Sequence, residues 1–573
     1  MRILLTSLNA KFIHSNLAIR YLKEYCEGYS SSNIIIREFT INDQIDKILS
    51  NIFIEKPNVV GLSCYIWNIE ETLKLISSLK QVMPKCKIIL GGPEVSFDSR
   101  ELMEKFPYID FIIYGEGEDT FRCFIEALEN TGDFSSIKGL VYRDGDRVIQ
   151  NPPRSNIEDI DIIPFPYRDG LLGLENKIIY YETSRGCPFN CQYCLSSTIE
   201  GVRYFSLERV LDEIDFFIDN KVSQVKLVDR TFNCHPNRAK VIIEHIIRRG
   251  GNTNFHFEMA AHIMDRDMVN LLKEAPQGLF QLEIGVQSTN VYTLDSIQRK
   301  TDIDKIYEVV KELYEPRNIH IHLDLIAGLP YEDYESFAHS FDNVYSLKPD
   351  NLQLGFLKLL KGSGIREEAI KHGYRYTKYA PYEVLENKYI SYGQIMNLKA
   401  VEDVVEKYYN SHRFEYTLEF LIPYFGNSPF AFFEEFMKYW IDKRLFNVSH
   451  SLTTLYEIIY DFISTIERIP KQIFKEVLRF DYCLWQKPSN YLNCFYPAKL
   501  GTDILKNFLT CKENINTYLP EYEGYTRRQL MRALHMEIFE YDPISYIKKE
   551  TVILFDYKSA DRALKGTKFY VLK

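Results

Sequence analysis

The chain has 573 residues, 46% hydrophobic and 26% charged, with a formal net charge of −10 at pH 7. Such a length predicts two to four domains, and the composition is that of a globular chain, not a disordered one. The acidic balance argues against a broad nucleic-acid-binding surface, and no apolar run is long enough to span a bilayer. Met1-Arg2-Ile3-Leu4-Leu5-Thr6 reads directly into a strand, with no targeting segment evident. Eleven cysteines, scattered apart from one triplet, suit a reducing cytoplasmic setting.

Residues 1–145 alternate strand and helix patterns, which predicts a Rossmann-like open α/β sheet. Strands are expected at Ile3–Leu8, Ile34–Phe39, Val59–Cys64, Ile88–Gly91 and Phe111–Tyr114. The loops at their ends are Asn9-Ala10-Lys11, Ser63-Cys64-Tyr65-Ile66-Trp67-Asn68, Gly91-Gly92-Pro93-Glu94 and Gly115-Glu116-Gly117-Glu118. In doubly wound sheets ligands bind where such loops gather. No G-x-G-x-x-G opens a helix here, which argues against a nicotinamide cofactor.

Residues 146–176 read as a linker, with Asn151-Pro152-Pro153 and Ile163-Pro164-Phe165-Pro166-Tyr167 breaking regular structure. Six strand patterns follow within 177–364: Ile178–Thr183, Val225–Val228, Phe255–Met259, Phe280–Gly285, Ile319–Leu325 and Leu352–Leu357. They predict a partial (β/α)6 barrel with functional groups at the carboxyl ends of its strands. After the first strand comes Thr183-Ser184-Arg185-Gly186-Cys187-Pro188-Phe189-Asn190-Cys191-Gln192-Tyr193-Cys194. Its C-x3-C-x2-C spacing is not a usual zinc pattern, and three thiolates can hold an iron–sulfur cube with one iron open. Cys234, beside His235, lacks the ligand set for a second metal site.

Residues 365–573 read as a mainly helical domain, and apolar runs such as Ala431–Trp440 predict core. The stretch 526–573 holds ten Lys or Arg against six Asp or Glu, net +4, with short strands at His535–Tyr541, Val552–Tyr557 and Phe569–Leu572. Arg527, Arg528, Lys548, Lys549 and Lys568 form either a solvated surface or an RNA contact.

The cysteine run and barrel pattern resemble the radical S-adenosylmethionine (radical SAM) superfamily over residues 177–360. The four N-terminal loops resemble the cobalamin-binding Rossmann domain that precedes many such barrels. The resemblance implies a 4Fe-4S cluster on Cys187, Cys191 and Cys194, S-adenosylmethionine on its open iron, and cobalamin. In that superfamily, electron transfer cleaves the sulfonium and releases a 5′-deoxyadenosyl radical. By the same resemblance Tyr193 takes the aromatic position before the last cysteine, and Asp229 and Arg230 meet the methionine amino and carboxylate groups. Glu258, Glu283, Gln287 and Ser288 then reach methionine or ribose. Ile326, Gly328 and Leu329 pack the adenine, with Gly355 and Phe356 at its edge.

Two departures stand out. The family's Gly-Gly-Glu is missing from the second barrel strand, and no Asp-x-His-x-x-Gly follows the first strand. His14, the only histidine before residue 170, reads as a loop residue, so a lower cobalamin face without histidine is expected.

The resemblance extends to proteins in which these domains precede a C-terminal domain of uncharacterised function. It implies a cobalamin-dependent radical SAM enzyme of methyltransferase type, using an external electron donor and modifying a carbon of an unknown substrate. Alternatives are methyl or methylthio-type modification of a tRNA base, and a cobalamin or redox sensor without catalysis.

Overall fold

A computed structural model describes residues 1–130, 132–488, 492–495, 502–561 and 566–572. The chain divides into two compact units, residues 1–336 with 354–392 and residues 337–353 with 393–573.

The first unit opens with a seven-stranded sheet. Its strands are β1 (Arg2–Asn9), β2 (Asn33–Thr40), β3 (Val59–Ser63), β4 (Lys87–Gly91), β5 (Phe111–Ile113), β6 (Leu140–Asp144) and β7 (Arg147–Gln150), in the order β2-β1-β3-β4-β5-β6-β7. The first five strands are parallel, and all five expected strands are present. β6 and β7 add an antiparallel edge that the strand patterns did not suggest. β3 is buried at every position because helices cover both faces of the sheet. Strand order reverses about β1, which creates a crevice beyond the ends of β1 and β3. Asn16 pins that crevice, donating to Ser7 Oγ at 3.1 Å and to Ser63 Oγ at 3.0 Å.

The barrel uses β8 (Ile179–Tyr181), β11 (Gln224–Leu227), β12 (Asn254–Glu258), β13 (Phe280–Gln287), β14 (His320–Ala327) and β15 (Asn351–Phe356), in the order β15-β14-β13-β12-β11-β8. Between β8 and β11, the short hairpin β9 (Ser184–Gly186) and β10 (Val202–Tyr204) frames the cysteine loop. On β13, Phe280, Leu282, Ile284 and Val286 are buried, while Gln281, Glu283 and Gln287 alternate with them on the opposite face. This period-two pattern delivers polar groups to the barrel interior. The unit closes with a segment carrying β16 (Arg375–Tyr376) and β17 (Val384–Glu386), so residues up to Tyr392 belong with the barrel.

The second unit contains helices such as Pro429–Asp442, Leu452–Ser464 and Lys471–Trp485, followed by an antiparallel sheet of β18 (Leu534–Phe539), β19 (Thr551–Asp561) and β20 (Gly566–Leu572). Phe432, Phe433, Phe436 and Trp440 are all buried, so the aromatic run is core. Arg527, Arg528, Lys548, Lys549 and Lys568 are exposed. Among the described residues, no helix is long and apolar enough to cross a membrane.

Candidate active site

The cysteine loop is fixed before it reaches its first cysteine. Asp229, buried at the end of β11, accepts from Thr183 N at 2.9 Å, Thr183 Oγ1 at 2.6 Å and Ser184 Oγ at 2.5 Å. Gly186 has φ +105, and a Cβ there would sit 2.1 Å from the Gly201 carbonyl oxygen, so only glycine fits the hairpin. Gln192 N then donates to Ile297 O at 2.9 Å, and Cys194 N to Cys191 O at 3.0 Å.

Cys187, Cys191 and Cys194, all free thiols, line one cavity of about 220 Å³. Ligands of a single tetrahedral ion with bonds of about 2.3 Å lie roughly 3.8 Å apart. Among the described residues, the groups of His, Cys, Asp and Glu whose ligand atoms all lie within 4.8 Å of one another are Cys483, His535 and Glu537, and Glu24, Glu27 and Asp169. The cysteine triplet is not such a group; its wider spread suits separate irons of a cluster better than one ion. Arg299 lies beside it, 3.7 Å from Cys191 Sγ and 3.0 Å from Tyr193 OH. Burial raises the Cys191 thiol pKa, and the guanidinium opposes that shift by favouring thiolate.

The rest of this cavity mixes Arg230, His262 and Lys300 with three carboxyls. Burial, with Glu283 nearby, pushes Glu258 up to about 7. Asp324 is pushed up to about 8 by burial and then by Glu283 and Glu258, and its buried Oδ1 has no hydrogen-bond partner among the described residues. Glu283 goes the other way: burial alone would raise it, but His256 at 3.1 Å and Lys226 at 2.9 Å bring it down to about 2. Burial thus favours the protonated forms of Glu258 and Asp324, while Glu283 is held as the carboxylate.

A larger cavity of about 680 Å³ lies beyond the crevice of the sheet. Asn9, Ala10, Ser63, Tyr65, Trp67, Gly91, Gly92, Pro93, Gly115, Gly117 and Glu118 line it from the sheet side, and Glu182, Arg185, Lys226 and Arg230 from the barrel side. Gly92 (φ +112, ψ 172) adopts a conformation essentially restricted to glycine, and a Cβ there would lie 2.5 Å from the Cys64 carbonyl oxygen. Tyr65 stacks on Trp67 with ring centroids 4.4 Å apart. His14 also lines the wall, with its Nδ1 2.6 Å from Tyr180 OH. Arg230 and Glu258 line both cavities.

Several expected residues do other work. Asp229 lines neither cavity and serves the cysteine loop. Ser288 is buried, donating to Glu332 at 2.6 Å. Leu329 is fully buried in an apolar cluster against which Ile326 and Tyr193 pack. Gln287, at φ +72, does line the cluster cavity. Gly328, Gly355 and Phe356 line neither cavity, and Gly355 instead approaches the Leu325 carbonyl. In the sheet loops Lys11, Cys64 and Ile66 lie outside the cavity lining. Glu116 turns away to Arg203, 3.0 Å distant at Nη1, and Glu94 to Lys361 at 3.1 Å. Arg299, Asp324, Lys226 and Glu182 line the cavities although no motif singled them out, and Arg185 does so from within the cysteine run. Asp324 and Lys226 were readable as alternate positions on their strands; Arg299 carried no signal.

The B12 binding domain family matches residues 3–125 and the Radical SAM superfamily residues 181–344, each around one of these cavities. The chain is a radical SAM protein with an N-terminal B12-binding domain. Residues 370–555 match a family described as protein of unknown function (DUF4080).

This radical SAM protein is 30% identical over 311 residues to the cobalamin-dependent radical SAM methyltransferase TokK of Streptomyces tokunonensis, covering 51% of this chain and 45% of that one. It is 25% identical over 353 residues to the anaerobic magnesium-protoporphyrin IX monomethyl ester cyclase of Rubrivivax gelatinosus, covering 58% and 62%. The chain spans about half the length of the first of these relatives. In fold it is similar to the cobalamin-dependent S-adenosylmethionine radical enzyme OxsB, with a TM-score of 0.60, 15% identity and coverage of 89% and 83%.

Proposed function

We propose that the chain is a cobalamin-dependent radical SAM enzyme that transfers a methyl group to a carbon centre of its substrate. The observation that carries this reading is the meeting of two unlike cavities at Arg230 and Glu258. When bound, the cluster and S-adenosylmethionine supply a radical and cobalamin supplies the methyl group; the protein's part is to orient these groups and exclude competitors.

Cys187, Cys191 and Cys194 would hold the cluster. The donor set around them fits S-adenosylmethionine: Arg230 for its carboxylate, Glu258 for its amino group, and the unpartnered Asp324 Oδ1 with Gln287 for ribose hydroxyls. The glycines at the strand ends of the crevice would let backbone approach the corrin closely there. Trp67 and Tyr65, not a histidine, are the aromatic groups contributed by the β3 loop.

We place the protein in a reducing cytoplasm, where its eleven free thiols persist and an external donor supplies electrons. The test is anaerobic reconstitution with iron, sulfide and hydroxocobalamin. Cleavage of S-adenosylmethionine and a stoichiometric cobalamin spectrum are expected, and a reduced, fully loaded protein that cleaves none would refute the reading. Metabolites and tRNA nucleosides compared with and without the gene then identify the substrate: a methylated metabolite supports a small molecule, and a changed nucleoside supports tRNA.

A further inference from the structure

The segment from Leu357 to Ile390 follows the barrel and reaches three of the loops described above. At the cysteine loop, Ile365 N donates to Gln192 O at 2.9 Å, and a Cβ on Gly364 would lie 1.8 Å from Gln192 Oε1. At the turn after β14, Tyr374 OH and Asn387 Nδ2 both donate to Gly328 O, at 3.0 Å and 2.9 Å. At the Gly-Gly-Pro-Glu loop of the sheet, Lys361 Nζ bridges Glu94 Oε1 at 3.1 Å and Asp98 Oδ2 at 2.9 Å and donates to the Glu94 carbonyl at 3.1 Å. Tyr382 OH donates to the same carboxylate.

Glu94 is the centre of this arrangement. It is 4% exposed, and its amide donates to Cys64 O at 3.3 Å, directly beside the glycine that edges the larger cavity. A buried ion pair contributes little net stability but costs strongly when one partner is removed, so Glu94 depends on keeping Lys361 in place. Tyr382 is held at φ +56, a costly conformation for a bulky residue, while its ring packs into the sheet's core. Arg366 stacks on the Tyr382 ring at 4.8 Å and donates to Leu359 O at 2.7 Å, tying the two passes of the segment together.

We propose that residues 357–390 are a positioning strap that sets the Gly-Gly-Pro-Glu loop against the cysteine loop, with Lys361 and Tyr382 acting through Glu94. The strap rests on the proposed function in one respect: the loop that it positions is the one taken to edge the corrin. It gives the opening residues of the region matching the family of unknown function a role at the cofactors.

Lys361→Met and Tyr382→Phe are compared with the unsubstituted full-length protein by hydroxocobalamin titration, iron content of the reconstituted cluster, and thermal unfolding. Lys361→Met is expected to weaken hydroxocobalamin binding about tenfold, a loss of about 1.4 kcal/mol, with iron content kept and Lys361→Arg restoring affinity. Tyr382→Phe moves affinity in the same direction by less. Unchanged affinity in both variants overturns the strap while leaving the proposed function standing. So does a parallel fall of affinity, iron content and unfolding temperature, which marks general destabilisation. Failure of the unsubstituted protein to bind hydroxocobalamin overturns the proposed function and the strap with it.

Discussion

The two cavities of the first unit are built by opposite means. The larger has glycines at its strand ends, Gly91, Gly92, Gly115 and Gly117, with Glu94 and Glu116 directed to Lys361 and Arg203 while Glu118 stays in the lining. The smaller is edged by side chains: three thiols, Arg299, and carboxyls with divergent protonation. The difference teaches where each site is fragile. A broad ring is admitted by removing side chains, whereas a cluster and a charged sulfonium ligand are held by adding them.

The strongest separation should come from Cys191→Ala. Iron content and S-adenosylmethionine cleavage are expected to fall to background while hydroxocobalamin binding persists; loss of both would break the division into two sites. Gly92→Ala is the mirror experiment. The strain of about 1–3 kcal/mol and the clash of a Cβ with the Cys64 carbonyl oxygen force the loop edge to shift, so hydroxocobalamin affinity should fall about tenfold, with iron content unchanged. Undiminished affinity would show that this backbone edge does not matter.

Asp229→Ala should act on the cluster side although it touches neither cavity. It strands the Thr183 amide and two hydroxyls, at about 1–3 kcal/mol for each buried group left unmade, and cluster occupancy after reconstitution should drop. Equal occupancy in the variant would remove Asp229 from the account of the loop.

The smallest effect is in pH dependence. Asp324 has a folded pKa of about 8, above its unfolded value, so between about pH 4 and 8 the folded apoprotein binds a proton that the unfolded chain has lost. Stability from this group is therefore present at low pH and lost as pH rises through 8. Asp324→Asn should flatten that part of the unfolding-temperature profile of the apoprotein; an unchanged profile would indicate that Asp324 is ionised in the fold.

Much of the fold was legible because its signals are local. Short apolar or alternating patterns of four to seven residues marked the first five strands of the N-terminal sheet and the six strands of the barrel. β6 and β7 escaped because Leu140–Asp144 and Arg147–Gln150 each mix apolar with charged or polar residues over too few positions to show a pattern. At the site, the cysteine spacing was readable and the direction of a side chain was not. Glu94 and Glu116 looked like ligands in glycine-rich loops, yet both are spent on partners distant in sequence. Arg299 follows no motif and reaches Cys191 only through the fold.

By itself, the sequence determined the cysteine triplet, the ordered loops and two sheets, since spacing and periodicity act over a few residues. Tertiary structure alone decided that Arg230 and Glu258 stand between two cavities, that Asp229 serves the loop instead of a ligand, and that the residues after the barrel return to Glu94. Those outcomes depend on burial and on partners tens to hundreds of residues away, which no local pattern encodes.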